Sequence, residues 1–434
     1  MSNRSRWSVF LAALAALVGP ALAPSALHAA GFAIFEQGAR GMGFAGACSA
    51  QTSDPSAIFH NAAGIAFLKG NHLYLGGTLI APSSDFTGDS PYPGAGVTEK
   101  GDAGIIVPPA ADYSHQLSER FVVGIGLHVP YGLRTRWTNR ETTYTGRFIS
   151  KEAEVRSISI NPTLAYKLAD RLAVGGGLDI RISSVSLKRN AAAVDPFTFG
   201  VRDVAAVDLQ GDRATDLGFN LGILAKPTEA LAIGASYRHK VAVDFSGAAT
   251  FTLLPTGNPQ LDGAVAARLP SGDLPVTTRI EFPSIVELGM SYDFGDWTVA
   301  ADVDFQQWSS FDRLPLSFEG RPDLSTVVEE DYENSRIYRV GIERRIGENW
   351  AVRGGYYFDE TPSPAASVSP LLPDADRHGL ALGFSYRAGS WSVDVANWYL
   401  IFKQRSTEGV NRDNYNGTYD NSAELFAVSV GKRF

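Results

Sequence analysis

The sequence predicts an all-β chain: a transmembrane antiparallel β-barrel of about fourteen strands with an N-terminal hatch, or plug, in its lumen. Three observations predict it. From His72 onward one unit repeats, a strand of alternating polarity followed by a turn. The turns alternate short and long along the chain. The stretch ahead of the first strand, Gly31 to Gly70, is too rich in glycine and alanine to build a core of its own and lacks sustained alternation. The expected division is a signal peptide at 1–30, the hatch at 31–71 and the barrel at 72–434.

The leader follows from its first residues. Arg4 and Arg6 give a positive start, Val9 to Val18 is an apolar run, and Ala21 to Ala30 is rich in small residues. That is the pattern of an export signal, with cleavage after Ala29 or Ala30. The run is too short to cross a bilayer as a helix. Its removal takes away two arginines and no acid, so the formal charge moves from -8 to -10. An acidic chain without a basic block is a poor partner for nucleic acid. The single cysteine allows no internal disulfide. No later stretch has the apolar length of a membrane helix, and no linker divides the chain into domains.

The strands rest on period-two alternation, which gives a sheet one apolar and one polar face. In Trp297–Gln307, Trp297, Val299, Ala301, Val303 and Phe305 share one face, opposite Thr298, Ala300, Asp302, Asp304 and Gln306. In Leu172–Ile182, Leu172, Val174, Leu178, Ile180 and Ile182 oppose Ala173, Gly175, Gly177, Asp179 and Arg181. Short connections, such as Leu117-Ser118-Glu119, Ala169-Asp170 and Gly295-Asp296, alternate with long ones, such as Asn190–Asp212, Gly247–Arg279 and Asp312–Asn334. Segregation of loop length by parity is the habit of outer-membrane barrels, with tight periplasmic turns and long external loops. Aromatic residues near strand ends, among them Trp137, Trp297, Trp308, Trp350, Trp391 and Trp398, suit girdles at the two interfaces. The last strand alternates to its end, with Phe426, Val428, Val430 and Phe434 on one face. It must close against the first strand, because hydrocarbon tolerates no open edge.

The lumen face carries acids and bases together, including Asp179, Arg181, Glu287, Asp302, Asp304, Arg339, Glu343, Arg353 and Asp394. Such a mixture is the ordinary filling of a barrel. No GxSxG, HExxH, Walker-type or CxxC motif is present, and no histidine has a partner at metal-ligand spacing. The reading is therefore no enzyme, no cofactor and no metal. Two long loops are unusually apolar: one contains Phe197 and Phe199, the other Phe251, Leu253, Leu254 and Leu261. A short amphipathic helix is expected over Leu261–Leu269. Either these loops form a hydrophobic capture groove or they pack on each other over the barrel.

Several pieces, in their order and spacing, resemble FadL-type (OmpP1/FadL/TodX family) fatty-acid and hydrocarbon channels of Gram-negative outer membranes. They are Ala30-Gly31-Phe32, Gly38–Ala50, Tyr131-Gly132-Leu133-Arg134-Thr135, Asn161–Leu168, Phe282–Gly289, Trp308-Ser309-Ser310-Phe311, Tyr338–Gly341 and Leu372–Arg377. The resemblance covers essentially the whole chain after the leader. It implies passive uptake of hydrophobic molecules, with capture between the third and fourth external loops. Ligand then binds near Gly31 and Phe32 and leaves sideways past a kinked third strand at Pro130, Tyr131 and Gly132. The family's hatch carries Asn-Pro-Ala beside that kink; here Asn61, Ala62 and Ala63, followed by Gly64, stand without the proline. It further implies a chain that meets outer-membrane lipid and lipopolysaccharide, shows Phe434 to the barrel assembly machinery and works as a monomer. A lipid-modifying outer-membrane enzyme and a general porin are the alternatives.

Overall fold

Alternation becomes a closed sheet. The computed structural model describes residues 31–137, 143–270 and 272–434, so the signal-peptide reading lies outside the described residues. Fourteen antiparallel strands form the barrel. They are β1 (Asn71–Gly88), β2 (Pro109–Gln116), β3 (Phe121–Arg136), β4 (Glu152–Ala169), β5 (Leu172–Val194), β6 (Val201–Ala225), β7 (Leu231–Arg238, resumed at Val241–Leu253), β8 (Gly272–Phe282, resumed at Ile285–Phe294), β9 (Trp297–Gln306), β10 (Ser335–Ile346), β11 (Trp350–Asp359), β12 (Arg377–Ala388), β13 (Trp391–Phe402) and β14 (Gly417–Arg433). β1 pairs β14 from His72↔Arg433 to Gly88↔Gly417, which removes the edge.

The polarity is inside out relative to a water-soluble sheet. Leu217 and Leu382 are each 69% exposed, and Leu79, Ile125, Leu164 and Phe426 also face outward. Only hydrocarbon makes such a belt favourable. The lumen face carries the charges read from the sequence, and its arginines are paired. Arg339 meets Asp304 at 2.9 Å, Arg353 meets Glu343 at 2.7 Å, and Arg181 pairs with Asp179. A buried charge left alone would cost several kcal/mol, so pairing is required. Trp350, Trp391 and Tyr386 point outward as girdle residues should, but Trp137, Trp308 and Trp398 are buried inside.

Two expected loops are largely strand. The stretch Asn190–Asp212 continues the β5–β6 ladder to Val194↔Val201, leaving residues 195–200 as the turn. Gly247–Arg279 contains the outer parts of β7 and β8, paired from Phe282↔Val241 to Gly272↔Phe251. β5 and β6 have 23 and 25 residues, far more than the roughly ten that cross a bilayer. The apolar residues that read as loop are the inward face of this extension, where Val207, Leu209, Phe251, Val276, Leu316 and Phe318 cluster. The expected helix is present as Pro259–Arg268, with the Asn258 side chain accepting from the Gln260 and Leu261 N–H groups.

Residues 31–68 lie inside the barrel. They include two short helices, Ala39–Gly43 and Ala57–His60, and a 3₁₀ turn at Ala62–Phe67. The first packs on β11 to β14 and β1, the last on β3 to β6, so the segment bridges the lumen from wall to wall. Glycines in the wall make room for its backbone. A Cβ at Gly234 would stand 2.0 Å from the Ser49 carbonyl oxygen, and one at Gly175 would stand 2.5 Å from the Ala62 carbonyl carbon. Wall arginines hold the same backbone: Arg339 donates to Ala45 O at 3.0 Å and Arg238 to Phe59 O at 2.8 Å.

Candidate functional site

The site begins where the wall is incomplete. The ladder of β2 begins at Pro109. Pro108 and Pro109 have no N–H to give a ladder. β2 therefore pairs with β3 only from Gln116↔Val122 to Ala111↔Leu127. β3 runs on beside β4 as far as Arg136↔Glu152, with a bulge between His128 and Tyr131. Its other edge beyond Leu127 is without a strand.

The tip of the inner segment occupies that edge. Ile34 N–H donates to Pro130 O at 2.9 Å, and Gly132 N–H donates to Phe32 O at 3.0 Å. Ala33 and Tyr131 thus form an antiparallel bridge. The Gln37 amide donates to Val129 O at 2.9 Å. Gly31 N–H donates to the Asp374 carboxylate at 3.1 Å. Burial pushes the Asp374 carboxyl up to about 7, against the opposing pull of the Thr361 hydroxyl, Arg377 and this N–H. Gly31 has φ +59°, and a Cβ there would come within 2.7 Å of the Trp308 ring.

Phe32 is the centre of an aromatic cage. Its ring meets Trp308, Phe311, Phe282 and Tyr131 edge-on, at centroid distances of 4.9, 5.5, 5.9 and 6.2 Å. Tyr131 also donates from its hydroxyl to Pro283 O at 3.1 Å, and the Arg181 guanidinium stands 4.9 Å over its ring. Two cavities meet at Phe32. The outer one, about 90 Å³, is walled by side chains such as Val185, Leu209, Phe245, Ile280 and Leu314. The side one, about 500 Å³, reaches from Leu400 and Leu425 in the lumen to Ile105, Val107 and Ile158. Those last three are exposed on the outer surface, so this cavity opens sideways through the gap between β2 and β3. Phe32, Leu133, Glu154, Val155 and Leu372 line both.

The residues singled out from the sequence separate into three groups. Gly31, Phe32, Pro130, Tyr131 and Gly132 converge at the gap. Asn61, Ala62, Ala63 and Gly64 do not meet the bulge. The Asn61 amide donates to Ser49 O at 2.8 Å and Ile223 O at 3.0 Å, and Ala62 lies on Gly175, so this turn is set against β5 to β7. Among the loop residues, Phe251 and Leu261 are buried, Leu253 and Leu254 are half-buried, and Phe197 and Phe199 stand exposed on the β5–β6 turn. The two loops touch each other, with Leu254 N–H on Val204 O. None of these six lines either cavity. Trp308, Phe311, Phe282, Leu133 and Leu372 were not singled out as site residues. Their one signal was that each falls within a family-like piece. Among the described residues no set of His, Cys, Asp and Glu forms a metal cage.

A closed barrel with a lipid-facing belt, an apolar inner cavity and a lateral opening defines an outer-membrane transport protein. The chain belongs to the outer membrane protein transport protein family (OMPP1/FadL/TodX), whose pattern matches residues 21–434. It is 25% identical, over 96% of its length and 97% of the relative's, to the long-chain fatty acid transport protein of Escherichia coli O6:H1. Its fold is similar to that of a Pseudomonas aeruginosa FadL homologue, with TM-score 0.81 and 23% identity over 93% of this chain and all of that one. The toluene transporter TodX of Pseudomonas putida is also similar in fold, with TM-score 0.73 and 19% identity over 92% and 99% of the two chains.

Proposed function

We propose that this outer-membrane channel takes up hydrophobic molecules passively, long-chain fatty acids or related hydrocarbons, and releases them sideways. The observation that carries the reading is Phe32. It lines both the outer cavity and the cavity that opens through the wall, and stands with Leu133, Glu154, Val155 and Leu372 where the two meet. Residues 31–71 then act as a hatch whose tip is the gate, with the Pro130–Gly132 bulge as its seat. A sideways route suits an apolar ligand because it passes from pocket to bilayer without full hydration. External capture is assigned to the loops of Phe197, Phe199, Phe251, Leu253, Leu254 and Leu261, whose exposed aromatics stand outermost.

A general porin needs no lumen-filling segment, and an enzyme needs a reacting constellation that neither cavity contains. The chain is read as a non-enzymatic monomer, exported by its leader, embedded in lipid and lipopolysaccharide, and assembled through Phe434. The test is uptake of labelled oleate or an alkane by cells with and without the protein. Faster uptake with the protein is expected; equal uptake across a broad panel of apolar compounds overturns the reading.

A further inference from the structure

The two cavities differ in charge. Among the described residues lining the outer cavity there is no lysine, arginine or histidine. Among the described residues its carboxylic acids are Glu154 and Glu330. Glu154, which lines the side cavity as well, is held by Arg156 in a two-pronged pair at 2.8 and 3.0 Å. Glu330 is 5% exposed and sits on the loop that follows β9. Burial pushes its carboxyl up to about 8, with Asp413 and Asp331 adding to the rise and Arg412 opposing it. The neutral acid is thus its resting form near pH 7. The Thr278 hydroxyl is buried there without a hydrogen-bond partner among the described residues. The side cavity is lined by three arginines. Arg156 is taken by Glu154, Arg377 is taken by Asp359 at 2.9 Å, and the Arg134 Nε atom is buried without a partner among the described residues.

We infer that the outer cavity selects uncharged hydrophobic molecules, hydrocarbons and those with a single hydroxyl or carbonyl, over carboxylate anions. The inference rests on the uptake reading above and names its substrate class. A carboxylate entering this cavity loses its water and meets no cation, only an acid and a hydroxyl. A neutral ligand loses little, and one polar atom finds Thr278 or the Glu330 carboxyl. An anion meets arginines only in the side cavity, at Arg134, Arg156 and Arg377.

The test is calorimetric binding of 1-octanol and octanoate to the purified full-length barrel at pH 8, in the wild type and in Arg134→Gln. Arg134→Gln removes the free guanidinium of the side cavity, so octanoate that still binds reports the outer one. Octanol is expected to bind about tenfold or more tightly than octanoate in Arg134→Gln. Acidification that protonates octanoate should close the gap. A Thr278→Lys variant should narrow it at pH 8 by supplying the missing cation. Octanoate binding as tightly as octanol to Arg134→Gln at pH 8 overturns the selectivity and leaves the channel standing. If neither ligand binds, the uptake reading itself fails.

Discussion

The inner segment is one stretch of chain held in two different ways. Its body, residues 39–68, is gripped by side chains and by shape. Arg339 and Arg238 reach its carbonyls, Ser49 N–H rests on Asp302 at 2.8 Å, and Arg40 pairs with Glu343 at 3.1 Å. Wall glycines let its backbone press against the sheet. Its tip, residues 31–37, is held by two backbone hydrogen bonds to the β3 edge, one to Asp374, the Gln37 amide and the rings around Phe32. Each such hydrogen bond is worth about 0.5–1.5 kcal/mol net. Ring contacts of the Phe32 kind are ones an apolar ligand can replace. The difference teaches where motion belongs. Moving the body would strand buried ion pairs such as Arg40–Glu343, whereas moving the tip releases hydrogen bonds, ring contacts and the Arg339 guanidinium over the Phe35 ring.

The largest effect is expected in the body. Gly234→Val places side-chain carbons where the Ser49 backbone stands, and neither backbone can give way. A loss of at least about 3 kcal/mol is expected, seen as loss of the folded, heat-modifiable form on gels. A normally folded Gly234→Val barrel would show that the body is as loose as the tip. The tip should behave oppositely. Deleting Gly31–Gly38 should weaken ligand retention about tenfold or more while the barrel keeps its heat-modifiable migration. Loss of that migration would mean that the tip is structural and would erase the distinction.

Much of this was legible beforehand. Alternation placed the strands, because a barrel in lipid allows no other use for a period of two. Loop parity told inside from outside, and the charged lumen face was read correctly down to Asp179, Arg339 and Arg353. What failed to show in sequence was the outer half of β5 to β8. Phe251 read as an apolar loop residue because the strands here run well past the roughly ten residues that cross a bilayer. The site was half visible. Gly31, Phe32 and the Pro130-Tyr131-Gly132 bulge were named, but their partners Trp308, Phe311 and Leu372 come from loops hundreds of residues away, and one of them reads as a girdle tryptophan. The same distance hid the seat of Asn61. Its partner carbonyl on Ile223 belongs to a strand that no local pattern connects to it.

The central claim is that the tip must leave the β3 edge for ligand to pass. Ala33 and Tyr131 are directly opposed in an antiparallel bridge flanked by the two hydrogen bonds, the pairing that brings Cβ atoms closest. Ala33→Cys with Tyr131→Cys, in a Cys48→Ser background, therefore locks the gate when oxidised. Uptake of an alkane by cells carrying this protein is the measurement. Arrest on oxidation and recovery on reduction are predicted; unchanged uptake with the disulfide formed would contradict the account.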